Sequence, residues 1–124
     1  MVVDDQTDAR AFVVAIALEI GDFNFIHSHS GDNALELLVN VTPDLFVLDV
    51  VMPGMNGFSL FHELRKNEVT RDIPIIMLTG VSRDLGIKFD RRGVTEYLGP
   101  PAAFLDKPVD PELLQDAIRA ALKL

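Results

Sequence analysis

The chain reads as a single α/β domain, a parallel sheet of five strands covered on both faces by five helices. Three observations carry this. Short apolar runs alternate with longer stretches of helical spacing from end to end. The central run, Leu45-Phe46-Val47-Leu48, contains no polar residue, as expected of a strand buried on both faces. The apolar runs also end on polar side chains: Asp4-Asp5, Asp49, Thr79 and Lys107. In a parallel sheet these ends share one rim, and ligands bind at that rim.

The elements follow in order. Met1-Val2-Val3 is an unusually short first strand (β1) that runs straight into Asp4-Asp5. Ala9 to Ile20 is the first helix (α1), with Ala9, Phe12, Val13, Ile16, Ala17 and Ile20 on one stripe and Gly21 to stop it. Phe23 to Ser28 is β2, and Gly31 to Asn40 is α2 with Ala34, Leu35 and Leu38 inward. Pro43 introduces β3 over Leu45 to Leu48, which stops on Asp49. Pro53-Gly54 and Asn56-Gly57 are turn chemistry, and helical spacing resumes from Gly57 to Asn67 as α3. Ile73 to Leu78 is β4, with Pro74 suited to its first turn rather than its middle, and Thr79-Gly80 ends it. Ser82 to Arg92 is a more charged helix (α4), and Gly93 to Pro101, with two glycines and two prolines, is a loop. Ala103 to Asp106 is β5, followed by Lys107-Pro108. Asp110-Pro111 opens α5, Asp as N-cap and Pro at the first helical position, with Leu114, Ala117, Ile118, Ala121 and Leu122 inward. With no linker, repeat or low-complexity segment, one domain is expected over 1–124 and no output domain in this chain.

Composition narrows the function classes. Eleven Lys+Arg against nineteen Asp+Glu leave a formal charge of −8, which speaks against direct nucleic-acid binding. No apolar run approaches the roughly 18 residues of a membrane span, and no leader pattern is read, so no membrane partner is expected. The absence of cysteine excludes disulfides and thiolate metal sites and makes the cytoplasm the expected compartment.

Asp4, Asp5 and Asp49 on one rim repel one another and call for a cation. Oxygen-only ligands suit a hard ion, magnesium or calcium, and magnesium pairs with one or two carboxylates plus a phosphate. Lys107 and Thr79 are donors for an anion. A carboxylate nucleophile, a divalent ion, a lysine and a hydroxyl are the parts of a phosphoryl-transfer site. Asp49 is the best nucleophile, because the adjacent Asp4 and Asp5 are better placed to hold metal.

In Val2-Val3-Asp4-Asp5, Val47 to Gly57, Leu78-Thr79 and Phe104 to Pro108, the sequence resembles the receiver domain of two-component response regulators. These motifs span essentially the whole chain in the family's order. The resemblance implies a (βα)5 flavodoxin-like three-layer sandwich with sheet order 2-1-3-4-5. It implies a signalling switch, not an enzyme beyond its own phosphorylation and dephosphorylation, with Asp49 as phosphoacceptor. Asp5 and Asp49 would hold Mg²⁺ directly with the backbone carbonyl of Val51, and Asp4 would act through water; Mn²⁺ or Ca²⁺ could substitute. Thr79 and Lys107 would contact the phosphoryl oxygens, Phe104 matches the switch aromatic, and the Lys107-Pro108 bond is expected to be cis. The implied partners are a sensor histidine kinase or histidine phosphotransfer protein and a downstream output domain or protein. The implied working surface is α4–β5–α5, also the face for a homodimer. Val51 and Val81, two beyond the phosphoacceptor and two beyond the threonine, flank the approach of water; as apolar residues they imply a long-lived phosphoryl group.

Gly80 stands where the family usually has another small residue, alanine, and the segment between Thr79 and Lys107, with Pro100-Pro101, is longer than usual. The remaining features have plainer readings. His27 and His29, two apart on a strand, are read as edge residues rather than a metal pair, and His62 as solvent-facing. Phe12, Phe46, Phe58 and Phe61 are expected in or near the core, and Arg91-Arg92 is too short a basic run to suggest nucleic acid. Two rival functions remain. A magnesium-dependent phosphatase with an aspartyl nucleophile is disfavoured because Asp49 is isolated and ends the third strand rather than the first. A receiver-like scaffold that is never phosphorylated is disfavoured because all five site residues are present.

Overall fold

A computed structural model describes residues 1–80 and 101–124. The expected α4 and the loop from 93 to 100 lie outside the described residues, as does Val81. Five parallel strands, β1 (Val2–Val3), β2 (His27–Ser28), β3 (Phe46–Asp49), β4 (Ile75–Thr79) and β5 (Ala103–Asp106), form one sheet in the order β2-β1-β3-β4-β5. The helices described are α1 (Thr7–Leu18), α2 (Gly31–Leu37), α3 (Gly57–Lys66) and α5 (Pro111–Leu122). None of them is long and apolar enough to cross a membrane.

Strand alternation builds the two cores. Phe46 and Leu48 of β3, with Ile75 and Met77 of β4, pack with Ala34 of α2 and with Leu60, Phe61 and Leu64 of α3. Val47, Ile76 and Leu78 point the other way, onto Val13, Ile16 and Ala17 of α1 and Leu114 and Ile118 of α5. That is why β3 and β4 read as unbroken apolar runs: both faces are covered, in three layers.

Several bounds differ from expectation, each for a local reason. β2 pairs only at His27–Ser28, because β1 is two residues long and its first rung is Val2 N–H to the Ile26 carbonyl. Phe23 and Phe25 instead pack edge to face, ring centroids 6.2 Å apart, against the α1/α5 side. Phe12, expected inward, is 49% exposed. The buried stripe of α1 is centred on Val13, Ile16 and Ala17, which turns Phe12 to its solvent edge. α2 ends at Leu37 rather than Asn40, its last carbonyls taken up by turn bonds from Val39 and Asn40. Pro74 stands just before β4 and passes its carbonyl to Phe46 N–H.

The expected cap at Asp110 is present: its side chain accepts from the Glu112 and Leu113 amides with Pro111 behind it. Asn56, read as turn chemistry, also caps its helix, accepting from the Ser59 amide. The Lys107-Pro108 bond is cis.

Candidate functional site

Register brings the site together. Val3 pairs with Leu48, so one step further along both strands Asp4 comes level with Asp49. Asp49 pairs with Leu78 and Thr79 with Asp106, and Lys107 N–H donates to the Thr79 carbonyl at 3.0 Å. Residues separated by as many as 103 positions therefore meet on one rim.

Lys107 Nζ lies between two carboxylates, 2.8 Å from Asp49 Oδ1 and 3.2 Å from Asp4 Oδ2. The other oxygen of Asp4 accepts from Gln6 N–H at 2.9 Å. Asp4, Asp49 and Thr79 are buried, whereas Asp5 is exposed. Asp4, Asp5 and Asp49 each offer an oxygen within 4.8 Å of the others, a group that could hold a metal ion. Three carboxylates against one ammonium leave two negative charges unbalanced, and the ligands are all oxygen, so the donor set fits a hard divalent cation.

The protonation equilibria register that excess charge. Burial pushes the Asp49 carboxyl above its usual range; the hydrogen bond and charge of Lys107 pull it back, while Asp4 and Asp5 push it further up. Burial alone would lower the Lys107 ammonium, but its hydrogen bond to Asp49 and the charges of Asp49 and Asp4 outweigh this and hold it above the usual lysine value.

The loop after β3 is shaped for this rim. Gly54 has φ of +76°, a left-handed conformation that glycine adopts without strain. Gly57 N–H donates to the Val50 carbonyl at 2.8 Å, and a Cβ built on Gly57 would stand 2.4 Å from the Asp49 carbonyl oxygen. The first turn of α3 thus lies directly against the end of β3. Val51 stands at the start of that loop with its side chain 38% exposed. Phe104, level with Met77, is half-buried against the α2/α3-side core, deeper than the rim.

Asp4, Asp5, Asp49 and Lys107 are thus brought together, Thr79 stands on the next strand end, and Val81 lies outside the described residues. Three participants were not visible from spacing: the Gln6 amide on Asp4, Gly57 beneath Asp49, and Arg10, whose Nη1 donates to the Asp4 backbone carbonyl at 2.6 Å. The histidines take no part; His27, His29 and His62 are exposed.

Comparison with known proteins shows the family of the chain. The sequence profile of the response regulator receiver domain matches residues 1–119. The chain is 32% identical to the phosphate regulon transcriptional regulatory protein PhoB of Pseudomonas aeruginosa, over 99% of this chain and 51% of that protein. It therefore spans about half the length of that relative. It is 30% identical to Protein PilH of the same organism, over 98% of this chain and 95% of PilH. Among solved structures, the chemotaxis protein CheY4 of Vibrio cholerae superposes with a TM-score of 0.80 at 26% identity, covering 98% of this chain and 95% of that one. The signal receiver domain of a signal transduction histidine kinase from Syntrophus aciditrophicus gives 0.79 at 29%, covering 98% and 87%. The chain belongs to the response regulator receiver domain family of two-component systems.

Proposed function

We propose that this chain is a phosphoacceptor switch in which Asp49 takes a phosphoryl group from a phosphohistidine on a sensor kinase or histidine phosphotransfer protein. One observation carries the reading: the Lys107 ammonium sits between Asp4 and Asp49 at the rim of the sheet. An ionised Asp49 oxygen attacks phosphorus in line. The new P–O bond forms as the P–N bond breaks, and the donor imidazole leaves with the electron pair. The Lys107 ammonium, 2.8 Å from the attacking carboxylate, is placed to follow the charge onto a phosphoryl oxygen, and the Thr79 hydroxyl to donate to another. Asp5, Asp49 and the Val51 backbone carbonyl would hold Mg²⁺, with Asp4 acting through water. Bound there, the ion supplies the positive charge that the acidic cluster and the phosphoryl oxygens require.

The acceptor promotes its own phosphorylation and dephosphorylation and turns over no other substrate. Output passes through the side of the molecule formed by β5 and α5, to a domain of a longer chain or to a separate protein. Homodimerisation would use the same side.

Intact-mass measurement after incubation with acetyl phosphate and Mg²⁺ tests the proposal. Gain of one phosphoryl group by the wild type, absent from Asp49→Ala and Asp5→Ala, is expected. Continuous consumption of acetyl phosphate without labelled protein would point to a phosphatase. No labelling and no consumption would leave a binding scaffold.

A further inference from the structure

We propose that Arg10 is a positioning residue for this site, fixing the Asp4–Asp5 peptide so that the Asp5 carboxylate is aimed at the cation. The inference rests on the phosphoacceptor reading and deepens it. Arg10 lies in the first turns of α1 and reaches back to the strand end it follows. Its Nη1 donates to the Asp4 carbonyl at 2.6 Å and its Nη2 to Thr7 Oγ1 at 3.3 Å. A peptide unit is planar, so holding the Asp4 carbonyl also holds the Asp5 amide and the direction in which the chain enters Asp5.

The two acids differ in how they are held. The Asp4 carboxylate is gripped by the Gln6 amide and by Lys107. The Asp5 carboxylate makes no hydrogen bond or ion pair among the described residues, although it belongs to the acidic cluster. Its aim is therefore set through the backbone, and Arg10 holds that backbone. The Arg10 Nε is buried without a partner among the described residues, so the side chain keeps this pose despite one desolvated donor.

Two effects of opposite sign meet at Arg10. Its positive charge repels a cation, and its grip on the loop favours one. The charge is half-exposed and set behind the Asp4 carbonyl, where solvent and salt screen it; the grip acts on the peptide that leads into a direct ligand. Outer-shell partners of metal ligands typically account for about 10–100-fold in affinity, so the grip dominates.

The test titrates Mg²⁺ alone into the wild type, Arg10→Met and Arg10→Lys, following amide NMR shifts around Asp49, with thermal midpoints and acetyl phosphate labelling measured alongside. Mg²⁺ affinity is expected to fall about tenfold in Arg10→Met and by less in Arg10→Lys, which keeps the charge but cannot reach both acceptors. Saturating Mg²⁺ should restore labelling of both variants to about the wild-type rate. A purely structural role would lower the thermal midpoint and leave the Mg²⁺ affinity of the folded protein unchanged. Unchanged or tighter Mg²⁺ binding by folded Arg10→Met overturns the proposal. If that variant does not fold, Arg10→Lys decides: weaker binding supports positioning and wild-type affinity refutes it. A wild type that binds Mg²⁺ but never takes label removes the phosphoacceptor reading, while the titration still decides the role of Arg10.

Discussion

At Asp49, burial and the neighbouring carboxylates of Asp4 and Asp5 act together on one carboxyl, with Lys107 against them, and the net result is a raised pKa. A carboxyl whose folded pKa lies above its unfolded value favours folding when protonated. That stability is present below the ordinary carboxylate range and is lost as pH rises through the raised value. Asp49→Asn removes the loss, and its amide oxygen can still accept from Lys107. Without metal at pH 7, the variant should unfold roughly 2–5 °C above the wild type, and the difference should vanish near pH 3. Calorimetry across that range checks it; a lower midpoint at pH 7 would show that the Lys107 ion pair outweighs the repulsion. Phosphoryl lifetime belongs to the same scale. Val51 stands exposed at the start of the loop and can offer an attacking water no hydrogen bond. Slow self-dephosphorylation is expected, and a Val51→Asn, Val81→Glu double variant should lose phosphate about tenfold faster, by the orienting role polar side chains play in such hydrolysis. Equal decay rates would refute this role of the two valines.

Among the elements, β3 and α3 meet closely at Gly57. Gly57 packs its Cα against the Asp49 carbonyl and Val50, and a methyl group there would meet backbone atoms that cannot swing away. Gly57→Ala should destabilise the fold by about 1–3 kcal/mol, the usual range for overpacking a closed site. Since the displaced atoms belong to Asp49 itself, Mg²⁺ binding should weaken as well. Chemical denaturation and a Mg²⁺ titration read the two effects. A fully stable variant with normal Mg²⁺ affinity would mean that the loop yields more freely than its contacts indicate. The residues that form this junction were legible beforehand as turn chemistry between a strand and a helix. The contact of Gly57 with Asp49 was not, because spacing along the chain shows where a turn falls and not how closely its ends approach.

For the whole molecule, the proposed switch would have to carry a change at the rim to the β5–α5 side. Thr79 and Phe104 lie on neighbouring strands, one at the rim and one within the half-buried part of β5. A phosphoryl group adds charge close to −2 and acceptor oxygens, and drawing Thr79 and Lys107 toward it changes the space beside Phe104. Treated as a two-state population shift, this requires some unphosphorylated molecules to be active-like already. Thr79→Ala should still be labelled at Asp49 yet transmit little of the change. NMR shifts around Phe104 with and without a beryllofluoride phosphate mimic measure it, and identical shifts in the wild type would refute the coupling.

The order of the described strands and helices, the two-faced burial of β3 and β4, the cap at Asp110 and the four polar strand ends were determined by the sequence alone. Each depends on local spacing or on a side chain acting within a few residues of itself. Tertiary structure decided the rest. The pairing of Lys107 with Asp4 depends on strand register across the sheet. The shortness of β2 depends on how far its partner β1 extends, and the exposure of Phe12 on which part of a broad stripe faces the core. The reach of Arg10 to a backbone carbonyl lies beyond any side-chain pattern, since carbonyls belong to every residue and only the folded chain selects one of them.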